Sequence, residues 1–244
     1  MAFTIYHPEW GASRPILGVL CDMDGLLLDT EKLFARFWTE AAQALGFPMT
    51  WHQSLGLRSL SQEAGQAYLR QCLGPGADYT AIRAERIRRM DAWIAAHGVD
   101  PKPGLSNMLD ALDRLAIPAA VTSSSPPERI REYLEPLGLY HRFREICSGY
   151  EVPRGKPEPD IYLHGAARLG LAPENCLALE DSPAGILSAY RAGCLPVMIP
   201  DLDEPDGETR SRLFARADSL GDIPDLLNAL QNAGKTGETA ASPR

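Results

Sequence analysis

The chain has 244 residues, of which 45% are hydrophobic, an ordinary composition for a protein that folds around a buried core. Its 24 Lys and Arg residues stand against 32 Asp and Glu residues, which gives a formal net charge of -8 at pH 7. This charge has the wrong sign for binding nucleic acid or an anionic membrane, so neither is expected as a partner. A small ligand is the better expectation.

Export and membrane insertion are not indicated by the sequence either. The first residues lack a basic stretch followed by an apolar one, and the apolar run at 16–28 contains two aspartates. We therefore expect a cytoplasmic protein. Five cysteines, an odd number without a CxxC pair, are expected to be reduced and mostly buried. The five histidines show no metal-ligand spacing, so zinc is not expected.

The first predicted element is the apolar run ILGVLC at 16–21, which is too short for a helix and is typical of a buried strand. Three later runs have the same character: IPAAVT at 117–122, CLALE at 176–180 and LPVMI at 195–199. Helical patterns separate these runs from one another. The alternation predicts an open α/β sheet of parallel strands.

The stretch between the first and second runs contains no strand-like segment. Residues 31–45 and 78–97 place apolar side chains at helical spacing, and the prolines at 100–104 suit a stiff hinge. A helical insertion is therefore predicted. The predicted organisation is a core of residues 1–30 and 101–244, a helical cap of residues 31–100, and a disordered tail of small and polar residues at 232–244.

Two helix starts in the core carry capping signals. Ser125, Pro126 and Glu128 have the spacing of a capping box with proline at the first helical position, so Ser125 is assigned to capping. A second helix is predicted to begin near Ser182 and to end at Gly193.

Polar residues follow the predicted strands at the edge where ligands bind to open α/β sheets. They are Asp22 and Asp24 after the first run, Ser123 after the second, Glu180 and Asp181 at the end of the third, and Lys156 in the turn-rich segment GKPEPD. Several carboxylates with a hydroxyl and an ammonium are the groups that phosphoryl transfer through an aspartyl intermediate needs. Mg²⁺ suits such a site because it binds carboxylate oxygens together with substrate phosphate.

Four segments carry a resemblance to a known family. DMDGLLLDT at 22–30, the serine after a strand, GKPEPD at 155–160 and LEDSPAG at 179–185 resemble, in this order, the four motifs of the haloacid dehalogenase (HAD) superfamily. The resemblance is to its phosphatase and β-phosphoglucomutase-like branch, and it covers almost the whole chain. It implies a Rossmann-like parallel core with an inserted all-helical cap that covers the active site.

The resemblance also implies roles for the residues of the core. Asp22 would be the nucleophile and a metal ligand, and Asp24 the general acid and base, whose backbone carbonyl also meets Mg²⁺. Lys156 would bind the phosphoryl group together with Ser123. Asp181, with Glu180 near it, would complete the metal site.

Thr30, where the predicted core meets the cap, and Arg58 in the cap are the expected contacts for substrate specificity. The substrate would be a small phosphorylated metabolite, because a closed cap excludes bulky molecules and bulk water.

Each segment by itself has a plainer explanation. DMDG could be an ordinary turn, although it fails as a calcium loop because Leu26 and Leu33 occupy positions that need oxygens. Lys156 could be a surface lysine, and Asp181 could be a helix N-cap. A solvated helix face is expected for Arg83, Arg86, Arg88 and Arg89. The conjunction of four segments in the right order favours a functional site over these separate explanations.

Departures from the family patterns reduce the number of candidate reactions. A dehalogenase is not expected to need Asp24. A β-phosphoglucomutase of this family typically has His four residues after Thr30, where this chain has Phe34, and its cap Gly-x-x-Arg is shortened here to Gly56-Leu-Arg58. The sequence thus favours Mg²⁺-dependent hydrolysis of a small sugar or nucleoside phosphomonoester. A mutase and a catalytically silent binding protein stay open, as do the leaving group and the oligomeric state.

Overall fold

A computed structural model describes residues 3–11, 14–58 and 60–238 of the chain. The fold divides into two compact units. The core unit comprises Met1–Leu28 and Pro101–Arg244, and the helical unit comprises Asp29–Asp100. Among the described residues, no helix is both long enough and apolar enough to cross a membrane.

The core unit is built on a seven-stranded sheet with the order β1-β7-β6-β5-β2-β3-β4. Its strands are β1 (Phe3–Ile5), β2 (Gly18–Cys21), β3 (Ala119–Ser123), β4 (Glu145–Ser148), β5 (Cys176–Glu180), β6 (Leu195–Met198) and β7 (Ala215–Ala217). The edge strand β1 pairs antiparallel with β7, and all other neighbours pair in parallel. Strand β2 is central, in register with β5 on one side and β3 on the other, so the carboxyl ends of these three strands meet.

Four of these strands are the apolar runs that the sequence predicted, shortened by one or two residues at some ends. Their side chains are buried throughout, which is why they read as continuous apolar segments. The other three strands escaped prediction. Strands β1 and β7 have three residues each, and β4 begins with a glutamate, so none of them has a continuous apolar run.

Helices cover the sheet of the core unit. They are α1 (Pro8–Gly11), α6 (Leu105–Arg114), α7 (Pro127–Leu134), α8 (Asp160–Leu169), α9 (Pro183–Ala192), α10 (Gly207–Arg210) and α11 (Ile223–Glu238), with α2 to α5 in the helical unit. Helix α8 lies especially close to the sheet, because a Cβ atom on Gly165 would come within 2.6 Å of the Thr122 methyl group. The buried cluster around Leu20, Ala120 and Ala178 packs beneath it.

The helical unit contains α2 (Glu31–Ala44), α3 (Trp51–Leu55), α4 (Gln62–Leu73) and α5 (Tyr79–His97). In its described part, residues 29–58 and 60–100, all regular structure is helical. Helices α2 and α5 match the two predicted from spacing, and a buried cluster that includes Trp38, Leu69 and Ile82 joins them to α4. The predicted fold class, a Rossmann-like α/β core with an inserted all-helical domain, is confirmed.

One prediction about a helix start is wrong. Helix α7 begins at Pro127 with Pro126 in the capping position, so Ser125 does not cap it. Helix α11 extends to Glu238 and so enters the segment 232–244 that was predicted to be a disordered tail, of which 239–244 lie outside the described residues. The helix predicted from Ser182 to Gly193 agrees with α9. The Ser182 hydroxyl caps this helix by accepting a hydrogen bond from the backbone amide of Gly185.

Candidate active site

The site begins where central strand β2 ends. The backbone amide of Asp22 donates to the carbonyl of Leu179 at 3.1 Å, so Asp22 continues the ladder between β2 and β5 and its backbone is held rigidly. The chain then turns back: Gly25 has φ 84°, and the amides of Leu27 and Leu28 donate to the carbonyl of Met23. A side chain would strain this left-handed conformation, so glycine suits the turn that follows Asp24.

A lysine from a distant loop lies against Asp22. The Lys156 ammonium donates to Asp22 Oδ1 at 2.5 Å and to Glu180 Oε1 at 2.6 Å. All three side chains are buried, with at most 11% of each exposed. Burial by itself would lower the pKa of Lys156, but the two carboxylates raise it above its ordinary value, so the ammonium stays charged.

Glu180, the last residue of β5, is held from several sides. Its Oε1 also accepts from the Tyr162 hydroxyl at 2.5 Å, and its Oε2 accepts from the Ser182 hydroxyl at 3.2 Å. A Cβ atom on Gly185 would stand 1.9–2.1 Å from the Glu180 carboxylate, so the carboxylate occupies the space that the missing side chain leaves. Burial and the negative charges of Glu180 and Asp22 raise the pKa of Tyr162 well above its ordinary value, so its hydroxyl keeps its proton.

Three acids could hold a metal ion at this edge of the sheet. Asp22, Glu180 and Asp181 are buried, and each offers a carboxylate oxygen within 4.8 Å of those of the others. The pKa of Asp22 is raised to about 8, mainly by burial and further by the charges of Glu180 and Asp24, while Lys156 opposes the rise. Burial and the neighbouring carboxylates together therefore outweigh the single ammonium. The donor set fits a hard divalent cation such as Mg²⁺, which would favour the ionised carboxylates.

Serines at the end of β3 and just beyond it complete the site. Ser123 is fully buried and its Oγ accepts the Ser125 backbone amide at 3.0 Å. The Ser125 hydroxyl donates to Asp24 Oδ2, also at 3.0 Å, across 101 positions of sequence. Ser125 is thus a site residue that the sequence analysis wrongly assigned to helix capping. Its SPPE pattern imitates a capping box, and the contact with Asp24 exists only because β2 and β3 are neighbours in the sheet.

The structure brings the six candidates of the core unit together. Ser125 links Asp24 with Ser123. The other four candidates, Asp22, Lys156, Glu180 and Asp181, form a second group with Tyr162 and Ser182, and the charge of Asp24 acts on Asp22. The sequence did not indicate three of the site residues, Ser125, Tyr162 and Gly185. Of these, Gly185 lies in the motif segment LEDSPAG, and a glycine in the first turn of a helix is the signal that could have identified it.

The two remaining candidates lie in the helical unit. Thr30 precedes α2 and is fully buried. Arg58 donates to the carbonyl of Leu55 at 3.1 Å and lines a cavity of about 190 Å³ within this unit. The lining combines aromatic and charged side chains from two helices, α2 and α5, and from the segment after α3: Glu31, Phe34, Trp38, Arg58, Tyr79, Arg83 and Arg86.

Arg86 corrects the expectation of a solvated arginine face. It is only 6% exposed, and its guanidinium lies over the rings of Phe34 at 4.9 Å and Trp38 at 5.3 Å. The helical spacing that put Arg86 among charged neighbours also puts it one turn from Ile82 and Met90, on the buried face of α5. Arg88 follows the expectation, since it is exposed and paired with Glu85.

Comparison with known proteins assigns the chain to a family. The family model for haloacid dehalogenase-like hydrolase matches residues 16–193, which contain all four motif segments. The chain therefore belongs to the haloacid dehalogenase-like hydrolases, and the resemblance to the phosphatase and β-phosphoglucomutase-like branch is confirmed. The predicted class of enzyme, a phosphoric monoester hydrolase of the HAD type, is confirmed with it.

Relatives are similar over most of their length. Hexitol phosphatase A of Escherichia coli K12 is 35% identical over 199 residues, which are 78% of this chain and 88% of that protein. A solved HAD family hydrolase from Deinococcus radiodurans R1, with bound phosphate and sodium, has a TM-score of 0.71 and 28% identity, covering 91% of this chain and 98% of its own. β-Phosphoglucomutase from Clostridium difficile has a TM-score of 0.72, covers 92% and 99%, and at 21% identity shows the fold alone.

Proposed function

We propose that this protein is a Mg²⁺-dependent phosphatase that hydrolyses a small phosphomonoester through a phosphoaspartate on Asp22. One observation carries the proposal: the Asp22 carboxylate, at the end of the central strand, contacts the Lys156 ammonium and lies within 4.8 Å of two further acids. The site therefore combines a nucleophile, a fixed cation and a candidate metal site at one point, as phosphoryl transfer requires.

In the first step a carboxylate oxygen of Asp22 attacks phosphorus, and the bond from phosphorus to the ester oxygen breaks. Asp24 gives its proton to the leaving alkoxide, which departs as the alcohol. In the second step Asp24 takes a proton from water, the water oxygen attacks phosphorus, and the bond between phosphorus and Asp22 breaks. Inorganic phosphate is released, Asp22 is restored as a carboxylate, and Asp24 is protonated again.

The remaining core residues hold the transferring group. Lys156 supplies a positive charge to an equatorial oxygen of the phosphoryl group. The Ser123 hydroxyl already accepts the Ser125 amide, so its own proton is available for another equatorial oxygen. Asp22 and Asp181, with Glu180 and the backbone carbonyl of Asp24, would hold Mg²⁺. When bound, Mg²⁺ would neutralise charge shared between the acids and the phosphate dianion.

The substrate class rests on the relatives and on the helical unit. Hexitol phosphatase A is 35% identical to this chain, and we propose a small phosphorylated metabolite, a sugar or nucleoside phosphate, as the substrate here. Thr30 and Arg58 are the proposed contacts to the part of the substrate that leaves. Phe34 argues against the mutase alternative, because its ring supports the Arg86 guanidinium at 4.9 Å and carries no proton to transfer.

The test is phosphate release from hexose, hexitol, glycerol and nucleoside monophosphates, each with Mg²⁺ and with a chelator. β-Glucose 1-phosphate is included and also assayed for glucose 6-phosphate. We expect Mg²⁺-dependent release from a small subset of these esters. Conversion of β-glucose 1-phosphate without release would identify a mutase instead, and silence on every ester would favour a binding protein.

A second measurement tests the metal without relying on turnover. A ligand present at about 100 times its Kd stabilises a folded protein by about 2.7 kcal/mol. Mg²⁺ should therefore raise the Tm of the wild-type protein, and the Asp181→Asn variant should show a much smaller rise. An equal rise in Tm in both proteins would show that Asp181 is not a ligand of the proposed metal site.

A further inference from the structure

We infer that Tyr162 is a positioning residue of this site: its hydroxyl fixes the Glu180 carboxylate, and Glu180 in turn holds Lys156 beside Asp22. The inference rests on the proposed function for the role of Lys156. Tyr162 lies outside the motif residues, two positions past the end of the segment GKPEPD, and no part of the proposed reaction uses it.

Tyr162 is rigidly placed by its surroundings. It is fully buried in the third position of α8, among the largest side chains of the core unit that solvent does not reach. One turn further along α8, Gly165 lets the helix approach the Thr122 methyl group more closely than any side chain would permit. The Tyr162 hydroxyl therefore meets Glu180 Oε1 at 2.5 Å from a fixed direction.

Glu180 needs this third donor for a geometric reason. Its Oε1 accepts from both Lys156 and Tyr162, while Oε2 accepts from Ser182. Without Tyr162, the Lys156 ammonium would be the only hydrogen-bond donor to Oε1 among the described residues, and the carboxylate could rotate toward it. Because Lys156 is shared between Asp22 and Glu180, a rotation of Glu180 moves the ammonium away from the position where it meets an incoming phosphoryl group.

The Tyr162 ring adds a second restraint on the same lysine. The Lys156 nitrogen lies 5.1 Å from the ring centroid, close enough for a cation–π contact. The lysine is therefore bounded by two carboxylates and one aromatic face. A tyrosine that merely filled space in the core would touch apolar neighbours, whereas this one places both its hydroxyl and its ring on the charged network.

The experiment compares Tyr162→Phe with Tyr133→Phe. Both tyrosines are buried in helices of the core unit, but Tyr133 lies in α7, where the Arg129 guanidinium lies over its ring at 5.8 Å from the centroid. The first readout is the rate at which acetic anhydride labels Lys156, followed by mass spectrometry, which requires no turnover. We expect Tyr162→Phe to raise this rate about fivefold, the size of one lost hydrogen bond, and Tyr133→Phe to leave it unchanged. Equal labelling in the two variants would overturn the inference.

The second readout is inhibition by inorganic phosphate. Tyr162→Phe should weaken phosphate inhibition about fivefold in the wild-type background. In a Lys156→Met background it should not weaken inhibition at all, because both changes act on the same contact between Lys156 and phosphate. Additive losses in the double variant would show that Tyr162 acts elsewhere and would overturn the inference. If Tyr162→Phe does not fold, the labelling rate of Lys156 is measured in Glu180→Gln instead. An unchanged rate in that variant would also overturn the inference.

These outcomes separate the inference from the proposed function. If the wild type hydrolyses no ester while Lys156 labelling still rises in Tyr162→Phe, the positioning contact stands and the function is wrong. If the wild type is an active phosphatase and labelling does not respond, the function stands and the inference is wrong.

Discussion

The core unit and the helical unit treat buried positive charge differently. In the core, Lys156 is hydrogen-bonded to two carboxylates at 2.5 and 2.6 Å. In the helical unit, the Arg86 guanidinium lies over the rings of Phe34 and Trp38. Hydrogen bonds to carboxylates are strong and directional, so they hold an atom at one point, whereas aromatic faces attract a cation over a broad area. The arrangement in the core therefore fixes its cation at one point, whereas the arrangement in the helical unit leaves its cation more freedom of position.

Replacement of the nucleophile should have the largest effect. Asp22→Asn removes the attacking oxygen of the core site, and binding alone cannot replace it, because uncatalysed hydrolysis of monoesters is among the slowest reactions known. We expect phosphate release to fall by at least about 10⁴-fold while the protein remains folded. Asp225→Asn, a matched change at an exposed position of α11, should keep full activity. Measurable turnover by Asp22→Asn, purified free of contaminating phosphatases, would refute the covalent mechanism.

A substitution that crowds the Glu180 carboxylate should have the next largest effect on activity. In Gly185→Ala the new Cβ would lie 1.9–2.1 Å from the Glu180 carboxylate and must displace it. Alanine is normally favoured over glycine inside a helix, so helix propensity alone predicts a gain in stability. We expect instead a loss of about 1–3 kcal/mol, typical of overpacking, and a fall in kcat/KM of about 100-fold. Gly207→Ala, where nothing lies within 4 Å, is the control; a similar activity in both variants would contradict the tight seat of Glu180.

Loss of the Ser125 hydroxyl should have a smaller effect, because it removes one hydrogen bond and no reacting group. Ser125→Ala deprives Asp24 of a donor at 3.0 Å. We expect kcat to fall about fivefold, with KM little changed and the free energy of unfolding altered by about 1 kcal/mol. The exposed neighbour Ser124 provides the control variant Ser124→Ala. A change in KM with kcat preserved would show that Ser125 acts in substrate binding and not through Asp24.

Substitution in the helical unit should affect selectivity more than chemistry. Arg58→Ala removes one guanidinium from the lining of the 190 Å³ cavity. We expect KM for the preferred metabolite to rise about threefold to tenfold, with little change for p-nitrophenyl phosphate, whose leaving group lacks sugar hydroxyls. Arg70→Ala, at an exposed position of α4, is the control. An equal rise in KM for both substrates would show that Arg58 acts on all substrates alike. It would contradict the idea that the helical unit sets selectivity while the core performs the chemistry.

The agreement between sequence and structure is best at the ends of β2, β3 and β5. Their apolar runs predict buried parallel strands, and the carboxyl ends of neighbouring parallel strands meet, so the sequence predicts that Asp22, Ser123 and Glu180 lie close together. Lys156 could be included only through the resemblance of GKPEPD to a family motif. Its loop is polar and irregular, and nothing in its composition indicates that the ammonium is buried against two carboxylates.

The errors have a common physical origin. SPPE near 125 and the arginine run near 86 were interpreted by local rules of capping and charge, which hold when neighbours in sequence decide the environment. In the structure the Ser125 hydroxyl reaches Asp24 from the adjacent strand, and Arg86 turns onto the aromatic rings of α2. Partners distant in sequence overruled both local patterns.

The sequence by itself determined the α/β class, the helical insertion and the family, because periodicity, run length and the order of four motifs are properties of a linear chain. Only the tertiary structure decided which groups share a hydrogen bond. The contacts of Glu180 with Tyr162, Ser182 and the bare face of Gly185 depend on how α8 and α9 pack against the sheet. Side-chain packing fixes such distances to within an ångström, and no linear pattern specifies them at that scale.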